Sequence, residues 1–385
     1  MESLSFFGIW GQAMVRFWPV WLALLIVFVL GRLLRRRLGL FGRLFDSRIG
    51  ALGLGLVLFW VFTAIFADSI APFEPLKQIA ELKRALPGAI DPNSGQAFLF
   101  GGDNLGRDLF SRMVYGSRFV LLIAPAATLI AYLVGITLGL PAAWYGGRVD
   151  DILMFIANLV LAFPVILLFY LLVTPGIRET AIPNVMAGTF FLFPPGFLLL
   201  LLYTRYAPRP LVFWPLALLV LGIGGWLYAG LVFDADPLGL VHLQPNELNI
   251  FAAVVAASSP GIFRIVRGLA LDIKTRDYVA AGQTRNESPW YLMLWEILPN
   301  ARGPLIVDAC LRIGYTTILL GTLGFFGLGL SPESPDWGSM IDQNRSFLRI
   351  VPTIVLPQTI ALALLVLGLN LLADGLREEL TRYQK

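Results

Sequence analysis

Nine stretches of this chain are apolar for about the length that crosses a bilayer, and no other feature restricts its fold as strongly. A hydrocarbon core about 30 Å thick takes about 20 residues of helix. Runs of that kind lie near 17–34, 49–67, 119–144, 152–173, 186–203, 211–233, 248–271, 303–330 and 351–373. They are continuous and do not alternate with a period of two, which excludes a transmembrane β-barrel. Charged residues make up 14% of the 385 positions, against about 25% in soluble domains. The expected fold class is an all-α polytopic membrane protein.

The placement of Lys and Arg orients the runs. The loop after the first run holds Arg32, Arg35, Arg36, Arg37, Arg43 and Arg48 against Asp46 alone, so it is expected in the cytoplasm. Arg205 and Arg209 mark a second cytoplasmic turn. Lys274, Arg276 and Arg285 put residues 277–300 on the same side, as do Arg377, Arg382 and Lys385 in the tail. The 234–249 loop carries Asp234, Asp236 and Glu247 with no base. The N-terminus is therefore expected outside and the C-terminus inside. The net charge of +4 reflects this bias and gives no sign of nucleic-acid binding.

The first run has its basic residues after it and no small-residue cleavage site, so it reads as a retained helix and not a signal peptide. The alternative is a helix lying in the interface, a depth that suits Trp10, Trp18 and Trp21. Cys310 is the only cysteine, so disulfides play no part. No Gly-Lys pair exists, so a phosphate-cradling loop is absent and the chain is not expected to hydrolyse ATP. A single histidine, His242, supports no catalytic metal cluster, and no G-x-S-x-G elbow occurs. Glycines in Gly53-Leu-Gly55 and Gly222-Ile-Gly224-Gly225 lie inside apolar runs, where small residues let helices approach.

Residues 277–300 form a mixed, charged island between two apolar runs. They are long enough for two short helices, broken between Asn286, which tolerates a left-handed turn, and Pro289, which opens the second helix; Pro299 ends it. A helix-turn-helix kept on a membrane face is an offer to a soluble partner.

Several strings carry a family resemblance. The island is similar to the cytoplasmic coupling segment of permease subunits in binding-protein-dependent ABC importers. Residues 100–118, from Phe100-Gly-Gly-Asp to Gly116-Ser-Arg118, resemble the periplasmic signature of the dipeptide/oligopeptide/nickel class. Tyr145-Gly-Gly-Arg-Val-Asp150, Leu161-Ala-Phe-Pro164, Phe325-Phe-Gly-Leu-Gly-Leu330, Pro335-Asp-Trp-Gly338 and Asn370-Leu-Leu-Ala-Asp-Gly-Leu-Arg377 follow in the family's order. Together they cover about 49–174 and 248–380 and point to the second of that class's two permease types.

The resemblance implies a six-helix core plus about three extra transmembrane helices, in a bacterial inner membrane. It divides the chain into an extra N-terminal helix and basic loop (1–48), a first core half (49–174) with a periplasmic segment (68–118), an inserted hairpin (175–247), and a second core half (248–385) with the coupling loop at 272–302. It implies as partners a second homologous permease, two cytoplasmic ATP-binding subunits that hold ATP and Mg, a periplasmic substrate-binding protein, and membrane lipid around this chain; no cofactor belongs to this chain. The coupling residues it maps are Asp277, Tyr278, Ala280, Ala281, Gly282, Asn286, Pro289, Leu298 and Pro299. The sequence departs from the family at Ala280 (usually Glu), Gly282 (usually Ala) and Asn286 (usually Gly). The periplasmic motif comprises Gly102, Asp103, Gly106, Arg107, Asp108, Ser111, Arg112 and Gly116. There the spacing predicts a surface helix with Leu109, Phe110, Met113 and Val114 on one face and an Asp108–Arg112 pair on the other. This helix either braces the outer gate or touches substrate.

Asp308 and Arg312, at i,i+4 on a helix that lines the path in the family, are either a polar wall of that path or a self-satisfied pair near the interface. The inserted hairpin is read as lipid-facing decoration, with packing on the partner permease as the alternative. Peptides are the default cargo of the class, while relatives take nickel chelates, opines or other small solutes. A stand-alone secondary transporter would show paired intramembrane acids or two inverted repeats, and the sequence has no such symmetry.

Overall fold

The structure, a computed structural model, describes residues 3–178, 180–239, 245–328, 333–349 and 351–383. His242, Gly329, Leu330 and Lys385, named above, lie outside them. The regular elements among the described residues are helices apart from a two-stranded antiparallel ribbon, β1 (Ala89–Ile90) and β2 (Ala97–Phe98). The longer helices are α1 (Phe6–Arg16), α2 (Trp18–Leu33), α3 (Arg48–Ile65), α4 (Leu109–Tyr145), α5 (Gly147–Ala162), α6 (Val165–Val173) and α7 (Ile182–Phe191). There follow α8 (Phe193–Tyr206), α9 (Pro210–Phe233), α10 (Pro245–Lys274), α11 (Asp277–Thr284), α12 (Leu298–Phe325), α13 (Trp337–Asn344) and α14 (Leu356–Tyr383). Among the described residues seven helices are long and apolar enough to cross a membrane, or up to nine if each of two bent pairs is one span.

The expected nine runs are matched only if each of those two bent pairs is counted as one span. The 152–173 run is bent by 77° between α5 and α6. Phe163 there is extended, with ψ 128°, because the ring of Pro164 crowds the residue before it out of the helical region and removes a ladder donor. The N-terminal pair, α1 and α2, is bent by 53°. With 16 residues, α2 is about 24 Å long, short for a bilayer core. The 11 residues of α1 leave Phe6, Phe7 and Trp10 exposed, the features of the interfacial alternative.

The chain divides into two compact units, Met1–Pro125 with Val307–Lys385, and Ala126–Ile306. In the first unit, Leu4 N–H donates to the Gly88 carbonyl at 2.9 Å, so the N-terminal strand lies against the 68–118 segment. Ile9, Ala13 and Phe17 join a buried cluster with Leu99, Leu109, Phe110, Trp337 and Leu365. The N-terminal helix is thus built into its unit and not appended to it. Helices α3 and α14 approach backbone to backbone. A Cβ added at Gly53 would lie 2.3 Å from Leu372 N, and one at Gly375 would lie 2.4 Å from Gly50 Cα. In the second glycine-rich stretch only Gly224 admits a close approach, 2.9 Å from Pro195 Cβ for such an atom, while Gly222 and Gly225 have nothing within 4 Å.

In the second unit α10 is the most enclosed span, with 67% of its apolar window buried, against 17% for each limb of the inserted hairpin. The hairpin comprises α7–α8 and α9. Its entry end is stacked on α10, with the Phe191 and Phe251 rings 5.3 Å apart.

Gly53→Val should destabilise the protein by roughly 3 kcal/mol or more, because the obstacle is backbone and cannot move aside. Gly222→Val, on an open face, serves as the neutral control; melting temperatures in detergent compare the two.

Candidate functional sites

The outer segment is tied by buried polar side chains. Asp103 Oδ1 accepts the Leu105 and Arg107 amides at 2.8 and 2.9 Å, and its Oδ2 accepts Arg107 Nε at 2.6 Å. Arg107 also donates to Gln343 Oε1 at 3.0 Å. Gly102 N–H donates to Ala85 and the Gly106 carbonyl accepts from Ile79, so the turn is pinned on both sides. Ser111 donates to Asp108 Oδ2 through both its amide (2.9 Å) and its hydroxyl (2.6 Å), while its oxygen accepts the Phe73 amide.

The expected Asp108–Arg112 ion pair does not form. Arg112 turns away from Asp108, and its Nη atoms donate to the main-chain carbonyls of Pro75 (3.1 Å), Glu333 (3.4 Å) and Ser334 (3.0 Å). Both residues are buried, and Ser111 one turn on has captured the carboxylate. Nor is there a separate surface helix, because Leu109 opens the 37-residue α4. Arg112 therefore joins three segments. Gly116, one turn further, receives the strand leading into α13: a Cβ there would lie 2.4 Å from the Pro335 carbonyl and 2.6 Å from the Trp337 ring. Trp337, fully buried, donates its indole N–H to the Met113 carbonyl at 2.9 Å. Asp336 caps α13 through Ser339 N–H at 2.9 Å. The 100–118 and 335–338 motifs are one interlocked knot, which a sequence string cannot reveal.

The coupling segment folds as a short helix, a left-handed turn and a second helical limb. Arg276 caps α11 without a side-chain bond, and Asp277 in its first turn complements the positive end of the helix. Asn286 takes φ +57° as expected. Ser288 Oγ then accepts the Tyr291 amide at 3.2 Å, with Pro289 at the first helical position. Asp277, Tyr278, Ala280 and Ala281 are exposed, while Val279 and Gly282 are buried. Gly282 has a physical reason: a Cβ there would lie 2.5 Å from Leu292 Cδ2, so the second limb's leucine fills the space. Arg285 reaches across the turn to Glu296 at 3.6 Å.

Pro299 does not end the second limb. A π-helical stretch, Leu292–Ile297, precedes it, and helix then continues through Leu298 to Phe325. The wider turn makes room for the ring, and the N–H that proline lacks is lost at an interruption already present. Leu298 is half-buried and Pro299 exposed.

A second attachment was missed by sequence reasoning. Asp150, in the Tyr145–Asp150 corner, accepts both Nε and Nη2 of Arg267 on α10, and Asn158 accepts Arg264. Lys274 donates to the Trp144 carbonyl at 2.6 Å. Arg264, Arg267 and Lys274 recur at 3 and 7 residues, one face of a helix, which is the signal available in the sequence. They moor the helix that leads into α11. Asp308 and Arg312 do pair, with Arg312 Nε 2.6 Å from Asp308 Oδ2 and both side chains about one-fifth exposed.

These helices and segments define a multi-pass permease. The chain belongs to the family described as binding-protein-dependent transport system inner membrane component, whose sequence model matches residues 135–382; it is an inner-membrane component of an ABC importer. It is 29% identical over 342 residues to the di/tripeptide transport system permease protein DppC of Pseudomonas aeruginosa, covering 88% of this chain and 90% of that one. It is 28% identical over 337 residues to the dipeptide transport system permease protein DppC of Haemophilus influenzae, covering 87% and 91%. The glutathione transport system permease protein GsiD of Pectobacterium atrosepticum is 29% identical over 341 residues, covering 88% and 89%.

Burial pushes the Asp108 carboxyl up to about 6, against the pull of its Ser111 hydrogen bonds and the charge of Arg16. A carboxyl raised in the folded state favours folding most at acid pH, and that contribution is lost as pH rises from about 4 to about 6, roughly 3 kcal/mol in all. Asp108→Asn should therefore gain stability relative to the native protein across this window, and the gain should vanish below pH 4. Paired thermal melts from pH 3.5 to 7.5 measure it.

Proposed function

We propose that this chain is one of two permease subunits of a peptide importer, with exposed α11 docking into a groove of an ATP-binding subunit. The observation that carries the reading is the geometry of the 272–302 segment. A helix of eight residues presents Asp277, Tyr278, Ala280 and Ala281 outward and is backed by a second limb continuous with a membrane helix. A helix laid in a groove transmits a rigid-body push to whatever it is joined to. Here α11 is joined to α10 on one side and α12 on the other. Ala280 offers no carboxylate, so docking rests on the small Ala280–Ala281 surface and Tyr278.

ATP and Mg belong to two such partner subunits. The outer knot serves as a scaffold for the face that receives a substrate-binding protein, since Asp103 and Arg107 pair with each other and Arg112 and Trp337 donate to main-chain carbonyls. Peptides as cargo are supported by the names of the relatives, which handle dipeptides, tripeptides and glutathione. The Asp308–Arg312 pair is read as a polar wall passed by peptide backbones and charged termini.

Ala281→Arg should weaken association with the ATP-binding subunits about 30-fold or more, as for loss of a contact at an interface centre. Co-purification and uptake measure this, and survival of both overturns the docking. Replacing Asp308 and Arg312 together with Ala should leave the complex assembled while uptake drops severalfold. Normal uptake in that variant overturns the wall.

A further inference from the structure

The inserted hairpin touches the coupling segment within its π-helical stretch. Trp295 sits within the π-helical stretch Leu292–Ile297. There the regular ladder is interrupted, and Pro299 just beyond offers no N–H. A lateral contact at this point fixes the direction in which the limb leaves the membrane helix.

Two contacts arrive from the end of α8. The Trp295 indole N–H donates to Thr204 Oγ1 at 3.1 Å. That hydroxyl donates its own proton to the carbonyls of Leu200 and Leu201, at 3.1 and 3.0 Å, so a lone pair is left facing the indole. The Arg205 guanidinium lies over the Trp295 ring, 4.9 Å from its centroid, within cation–π range. The hairpin is otherwise thinly held, with 17% of each apolar window buried. Its opposite end is stacked on α10 through Phe191 and Phe251. It is thus fastened at both ends within its unit and largely bare between.

We propose that the inserted hairpin is a strut that sets the pitch of the coupling segment, with Thr204, Arg205 and Trp295 as its positioning residues. The proposal rests on the reading of residues 272–302 as the ATPase-coupling segment. A push on α11 must then carry the hairpin turn with it, and the stiffness of the strut decides how much of the push reaches α12. With the strut cut, the limb swivels at its π-helical stretch, and ATP is hydrolysed without a matching movement of the spans.

The test uses the complete importer, with both permeases, ATP-binding subunits and cognate binding protein, in proteoliposomes, and reads substrate moved per ATP hydrolysed. Trp295→Leu, which keeps apolar bulk but removes the N–H and the ring face, should lower that ratio roughly three- to tenfold, the size expected for losing one hydrogen bond and one cation–π contact. Thr204→Val and Arg205→Gln should each lower it in part, and Thr204→Val should add little to Trp295→Leu. Arg205→Lys, which keeps the cation, should restore most of it. In every variant the subunits should still co-purify in native proportion. An unchanged ratio with ATP-binding subunits bound overturns the strut and leaves the coupling segment standing. Failure of the native chain to hold ATP-binding subunits through 272–302 overturns both.

Discussion

Hydrocarbon offers the backbone no hydrogen-bond partner, so every amide within the bilayer must be satisfied inside the chain, and that requirement organises this protein. Continuous helix is the default solution, and each departure from it needs a local remedy. Pro215, Pro260 and Pro304 each remove a donor without ending α9, α10 or α12, and among the described residues the breaks proper are Phe17, Phe163–Pro164 and Leu192 between helices and the π-helical stretch before Pro299. Three of them bear on function or mounting. The bend at Pro164 follows the helix whose Asp150 moors α10, the break at Leu192 opens the hairpin limb that reaches Trp295, and the π-helical stretch carries Trp295 itself.

Outside the hydrocarbon, polar side chains take over the role of the ladder. Arg112 is the clearest instance. A guanidinium cannot shed its charge, so its burial is tolerable where acceptors meet it, and the Pro75, Glu333 and Ser334 carbonyls accept from its two Nη atoms. Removing it would strand three main-chain acceptors in two segments, at Pro75 and at Glu333–Ser334. Trp337 adds its full volume at the Gly116 approach. The unit is held together by geometry that only glycine and arginine at these positions allow.

The apolar runs, the left-handed Asn286, the Pro289 start and the Asp308–Arg312 pair were all legible in the sequence, because each depends on a residue's own steric or periodic properties. The Asp108–Arg112 pair was misread because helical spacing allows a contact without choosing it: a closer hydroxyl and three distant carbonyls outbid the i,i+4 partner. Pro299 was read as a stop, because a π-helical stretch has no sequence signature strong enough to anticipate. The Arg267–Asp150 mooring and the Trp295–Thr204 contact join residues 117 and 91 positions apart. Periodicity within one segment carries no information about such distances, and only the meeting of segments reveals them.

The knot also imposes an order on biogenesis. Trp337 and its Met113 acceptor are separated by 224 positions, and Arg112 and its carbonyls by 221 and 222. At about 5–20 residues per second, a nascent chain waits roughly 11–45 s between making one side of this closure and making the other. For that interval Arg112 has the Pro75 carbonyl but neither of its two later acceptors, and Met113 lacks its indole donor. A chain ending before residue 333 lacks the Glu333, Ser334 and Trp337 side of this closure and leaves the seam open.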